Sequence, residues 1–225
     1  GSKSIQSISN HIERKYDTIP FRMDFIKELL QENELEPIIN FDDLSTEKYI
    51  HPNGYSCIKE DDTNAFGGSS SGTNDSNYDM RSIINKQKYD FCKVINGIGG
   101  KLRYMKSGTT GHTFKGIIIT DGGVSVNYAV KVVAYPKKEK YGDLNDARRP
   151  ENAELMMIRL LSYFVVRKQT PHIVLPIGTF YTSITPFINL IEGNYVDNEN
   201  KRYQEFIDKY KNNVYYDTVS ILISE

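Results

Sequence analysis

The chain has 225 residues, 25% of them charged and 39% apolar, and its 28 basic and 29 acidic side chains leave a net charge of -1. That length can bury a real core in one or two domains, and so even a balance supplies no field that would draw a polyanion, so general nucleic-acid binding is not expected. No apolar run reaches the roughly 18–20 residues that cross a bilayer; Leu155–Val166 comes nearest and is broken by Arg159 and Ser162, so no membrane partner is expected.

Taken in order, Ile5, Ile8 and Ile12 recur at helical spacing and suggest a short amphipathic helix. A second helix is predicted from Pro20 to Glu32, with Thr18 as a cap, Pro20 in the first turn and a stripe of Phe21, Phe25, Ile26, Leu29 and Leu30. Pro37 ends that pattern, and Ile38, Ile39, Phe41 and Leu44 come next as an apolar patch without a clear period. Residues 3–60 therefore read as a helical N-terminal extension packed on the later part of the chain, with an independent partner-binding module as the alternative. Residues 61–79, rich in Gly, Ser, Asn and Asp, read as a flexible linker. Met80, Ile83, Ile84, Gln87, Phe91, Val94 and Ile95 then predict a helix over 80–96, stopped by Gly97 and Gly99-Gly100. Cys57 and Cys92 make no disulfide framework and read as free thiols.

From Lys101 the pattern changes. Lys101–Met105 and Thr113–Thr120 read as two strands around the turn Ser107-Gly108-Thr109-Thr110-Gly111-His112. Glycines there permit positive torsions and a close approach of backbone N–H groups to an anion. Asp121-Gly122-Gly123 signals a hairpin turn. The next strand, Val126–Val133, alternates so that Ala129, Lys131 and Val133 share one face and Tyr128, Val130 and Val132 the other. Lys131 thus lies between small apolar neighbours and needs an anion, because an unpaired ammonium there is costly.

Pro136–Arg149 is a charged, solvated loop, and a long helix starts near Pro150 and stays apolar to Val166. Glu151 and Glu154 share one of its faces. Glu154, among Met157, Ile158 and Leu161, is expected to be the more buried of the two, whereas Glu151 suits a helix N-terminus. Thr170-Pro171-His172-Ile173-Val174-Leu175 leads into another strand. Residues 186–216 look like an insertion carrying one short helix with Tyr203, Phe206, Ile207 and Tyr210, and Thr218–Glu225 reads as a buried strand. The four histidines and two cysteines show no metal-ligand spacing.

In this order the turn, the lysine strand and the acidic helix over residues 97–225 resemble the small, N-terminal lobe of a protein kinase. The turn is a variant of G-x-G-x-x-G-x-V, with Lys106 for the first glycine, Gly108 and Gly111 for the second and third, and Thr113 for valine. Ala129-Val130-Lys131 matches the V-A-I-K strand, and Thr170–Leu175 is similar to the H-P-N-I-V-x-L segment. The wording looks most like serine/threonine kinases of large DNA viruses, mimivirus-like ones in particular. The resemblance implies an α+β fold for residues 80–225: about five antiparallel strands and one long αC-like helix.

It also implies ATP as ligand and a protein Ser/Thr as substrate, with work in the cytoplasm of the infected host cell or in the virion. Lys131 would hold the α- and β-phosphates, paired with Glu154, chosen over Glu151 because the apolar run comes directly after it. Met105, Gly108, Thr109, Thr110, Gly111, Thr113 and Ala129 would line the nucleotide. Ser224 would lie at the back of the adenine pocket, and Glu225 would begin the hinge. Neither the H-R-D-x-x-x-x-N loop nor the D-F-G site that holds Mg²⁺ occurs in these 225 residues. The large lobe is therefore expected to be absent from this chain, Mg²⁺ to belong to the complete kinase, and the chain to be inactive alone. A pseudokinase-like module that binds a partner protein, a virion component, and a regulatory subunit completing another chain's site are the competing expectations.

Overall fold

The computed structural model describes residues 18–35, 38–39, 86–99, 102–109, 111–119, 123, 125–137, 144–146, 148–191, 197 and 199–225. The expected helix around Ile5–Ile12, the linker 61–79, the stretch Met80–Ile84, Cys57 and Thr110 lie outside these residues. The described chain is α+β: helices α1 (Ile19–Glu32), α2 (Phe91–Ile98), α3 (Pro150–Val166) and α4 (Lys201–Lys211), and strands β1 (Arg103–Ser107), β2 (His112–Ile119), β3 (Ser125–Pro136), β4 (Pro176–Ser183) and β5 (Tyr215–Ser224). The strands form one antiparallel sheet in the order β1-β2-β3-β5-β4.

Alternation along β3 decides how the sheet is covered. Tyr128, Val130 and Val132 are 1%, 0% and 1% exposed, and they share their face with Phe114 on β2 and Val219, Ile221 and Ile223 on β5. This outer face is closed by α2, a 3-10 turn at Thr185–Phe187, and α4: Phe187 packs on Phe91 and Phe114, and Phe206 packs on His112. Each apolar side chain withdrawn this way contributes about 1.5–3 kcal/mol. Gly116 is required here, since a Cβ would lie 2.0 Å from the Tyr128 ring, whose hydroxyl donates to Gly99 O.

The inner face, with Ala129, Lys131 and Val133, lies under α3. The helix has Pro150 in its first turn, where a missing N–H costs nothing. Its buried stripe is Asn152, Leu155, Arg159, Ser162 and Val166, spaced three and four apart. This differs from expectation: Met157 and Leu161 are 56% and 37% exposed, because the turn of the helix is set by Asn152 and Leu155 rather than by the longest apolar run.

The predicted helix over 80–96 also needs correction. Among the described residues 86–99, helix starts at Phe91, where the Asp90 carboxylate caps the Lys93 N–H. Residues 87–89 instead run parallel to β4, with Tyr181 N–H donating to Gln87 O and Tyr89 N–H donating to Tyr181 O. Backbone pairing with a strand far along the chain overrode a periodicity that suited helix. The helix predicted from Pro20 is α1, and it packs near α2, α3 and β4. Among the described residues no helix is long and apolar enough to cross a membrane.

Candidate functional site

Lys131 stands in the middle of β3, opposite Thr113 on β2 and Leu222 on β5. Its ammonium donates to Glu154 Oε2 at 2.5 Å. The two side chains are 30% and 40% exposed, so solvent screens the pair and its worth to stability is at most about 1 kcal/mol. What it fixes is direction: a cation held at the mouth of the sheet–helix seam, able to meet an anion.

The expected order of burial between the two acids is reversed. Glu151 is the more buried, with an 11% exposed side chain in the first turn of α3, and its carboxylate lies 3.9 Å from Arg149. Glu154 sits one turn further along the helix, on the side that opens towards Lys131. A buried acid beside the N-terminus of a helix is stabilised there by the peptide dipoles, so burial was a poor guide to which acid meets the lysine.

The turn between β1 and β2 is closed by Gly108 N–H donating to Gly111 O at 2.7 Å. Among the described residues the glycines with positive φ are Gly99 and Gly123, so Gly108 and Gly111 do not supply the left-handed torsions expected of them. Gly111 is needed for another reason: a Cβ would lie 2.1 Å from Val132 O, so its bareness lets the turn close against β3. Gly108 meets nothing nearer than 3.8 Å and leaves that side of the turn open. Met105, at an irregularity in the β1–β2 register, is 52% exposed.

From the outer side the turn is tied to α4. Asn200, which caps α4, donates to the Tyr104 hydroxyl at 2.7 Å; that hydroxyl is 2.7 Å from Ser107 Oγ, which lies 2.6 Å from His112 Nδ1. His112 is 3% exposed against Tyr203 and Phe206, and burial pushes its pKa down to about 4. Burial thus favours the neutral imidazole, whose ring packs on Tyr203 and Phe206.

The predicted site residues are only partly gathered. Thr113, Lys131 and Leu222 share a face, as do Ala129 and Ser224, which are paired across β3 and β5. Lys131 and Glu154 line a cavity of about 10 Å³ together with Lys86, Leu155 and Thr179. Gly108, Thr109 and Gly111 line a different cavity, of about 230 Å³, between the turn, the start of α3 and α4.

Glu225 is engaged within the protein. Its N–H donates to Leu175 O, and its carboxylate accepts from Leu175 N–H and from the Arg22 guanidinium. Arg22 also donates to Pro171 O and Ile173 O, at 2.8 and 2.7 Å, so α1 ties the end of β5 to the loop after α3. Sequence reasoning missed Arg22 and Lys86; neither belongs to a periodic pattern, and both act on partners distant in the chain. Among the described residues no group of three His, Cys, Asp or Glu side chains could hold a metal ion.

A five-stranded antiparallel sheet with Lys131 on its inner face and a helix carboxylate on that lysine is compatible with the small lobe of a kinase. The chain is 40% identical over 206 residues to a protein of Acanthamoeba polyphaga mimivirus named "Putative serine/threonine-protein kinase", and is thus related to a viral kinase-like protein. The match covers 91% of this chain, reaching well beyond residues 97–225, but the chain spans only 37% of that relative's length. No family model and no solved structure matches significantly.

Proposed function

We propose that the chain is the ATP-binding lobe of a viral-type serine/threonine protein kinase, whose full-length parent transfers a phosphoryl group from ATP to a protein hydroxyl. The observation that carries this reading is the Lys131–Glu154 contact of 2.5 Å on the inner face of the sheet. Lys131 would hold the α- and β-phosphates, Glu154 would aim it, and the turn at Gly108 and Thr109 would approach the phosphates. Thr113, Ala129 and Ser224, on the same face of the sheet, would line the base and sugar.

The ammonium and the exposed turn fit a polyphosphate; Mg²⁺ would neutralise the phosphates in the complete kinase, held by groups absent from this sequence. Without the aspartates of the H-R-D and D-F-G motifs, this polypeptide would not turn over ATP alone. In this reading residues 3–60 are an extension of a lobe spanning 80–225, with 186–216 inserted, and the protein works in the infected-cell cytoplasm or the virion.

Calorimetric titration with Mg-ATP tests it. Saturable binding lost in Lys131→Ala and weakened in Glu154→Gln, with unchanged circular dichroism, is expected. A folded wild-type chain that binds no nucleotide would favour a second reading, a pseudokinase-like protein-binding module. That reading draws support from the cavity beside Lys131, only about 10 Å³ and separate from the one at the glycine turn.

A further inference from the structure

We propose that Lys86 is a positioning residue for the Lys131–Glu154 pair, pinning the first turn of α3 to the sheet so that Glu154 faces Lys131. The inference rests on the nucleotide-binding reading above for its functional meaning, though not for its geometry. The Lys86 ammonium donates to Ser220 Oγ on β5 at 2.5 Å, to Asn152 Oδ1 on α3 at 3.3 Å and to the Tyr135 hydroxyl on β3 at 3.4 Å, and it lies 5.3 Å from the centre of the Tyr181 ring on β4. Three donors meet three oxygens on three elements.

Asn152 is the part of α3 that this contact grips. It is fully buried, and its amide also donates to Leu144 O and Asp146 O, both at 2.9 Å, so it joins the helix to the loop that leads in. Two residues along a rigid helix advance only about 3 Å, so fixing Asn152 fixes the height of Glu154 over the sheet. Lys86 is itself held by the backbone pairing of residues 87–89 with Tyr181. The segment before α2 thereby reaches the functional seam.

An ammonium is an expensive way to fill a seam, and that argues for more than packing. Burial lowers the Lys86 pKa to about 8, against the opposing charge of Glu151. The charged and titratable groups around it are Glu151 and Glu154 on α3, Lys131 and Tyr135 on β3, and Tyr181 on β4. A neutral side chain would avoid the desolvation cost but could not satisfy all three oxygens.

The test reads Lys131 directly, by competitive amine labelling with acetic anhydride and mass spectrometry, with no nucleotide present. In Lys86→Met and in the milder Ser220→Ala, Lys131 labelling should rise about fivefold, as expected when a pair of this kind is released, while Lys137 and Lys211 stay at wild-type rates. A general rise at every lysine would mark loss of fold in Lys86→Met, and Ser220→Ala then decides. Lys131 reactivity unchanged in a folded variant overturns the proposal. Mg-ATP titration of the same variants separates the two readings: a wild-type chain that binds no ATP refutes the nucleotide lobe, whereas the labelling result still judges the pin.

Discussion

Acidification should loosen this protein at the glycine turn before it reaches most carboxylates, through His112. The imidazole is 3% exposed, its Nδ1 is 2.6 Å from Ser107 Oγ, and its ring packs on Phe206 and Tyr203. Burial pushes the folded-state pKa down to about 4, against about 6.5 in an unfolded chain. The ionic groups lining the cavity beside it are Arg149, Glu151, Arg202, Glu205 and Lys209.

Between those two values the unfolded chain binds the proton and the folded chain does not, so stability falls as the pH drops below about 6.5 and levels off below about 4. At pH 5 the loss from this one group is about 2 kcal/mol relative to pH 7. For a chain of this size that lowers the midpoint of thermal unfolding by roughly 4–8 °C. The assay is thermal unfolding at pH 7 and pH 5 for the wild type and for His112→Phe, which keeps a ring against α4 and removes the titration. The variant should lose about 2 kcal/mol less than the wild type over that interval. Equal losses in the two proteins, or a His112 NMR titration centred near the unperturbed value, would refute the reasoning.

Packing and the charged clamp give two further expected outcomes. Gly116→Ala places a methyl 2.0 Å from the Tyr128 ring and should cost about 2 kcal/mol in urea unfolding. The same change in a Tyr128→Ala background should cost nothing, and equal costs in both backgrounds would contradict the contact. Arg22→Ala removes the guanidinium shared by Glu225, Pro171 and Ile173, whose ion pair is 14% and 18% exposed, and should cost about 2 kcal/mol. Hydrogen exchange should report the change first at the Leu175 amide, which donates to the same carboxylate; an unaltered rate there would show that α1 does not brace the end of β5.

What the sequence made legible was what repeats. The alternation around Lys131 announced β3 and its two faces, and Pro150 with the apolar run after it announced α3 from its first residue. Electrostatic need announced an anion for Lys131, flanked on its face by Ala129 and Val133, and the choice of a helix acid as that anion was what the kinase resemblance implied. Single long-range polar contacts were not legible. Lys86 and Arg22 belong to no period, and Asn152 and Arg159 occupy buried positions that a pattern of apolar residues does not mark. The helix predicted over 80–96 is found from Phe91 on and departs at residues 86–90 for a related reason: apolar spacing is local, whereas the pairing of residues 87–89 with β4 depends on a strand some ninety residues later.

The same pairing also guards the sheet against other molecules. In the order β1-β2-β3-β5-β4 the sheet has two open rims, where unsatisfied N–H and C=O groups could template a strand from another molecule. Residues 87–89 occupy one rim with the chain's own backbone. The other, β1, is five residues long, carries Arg103 and Lys106, and loses register at Met105, three traits that resist growth of the sheet outward into an aggregate.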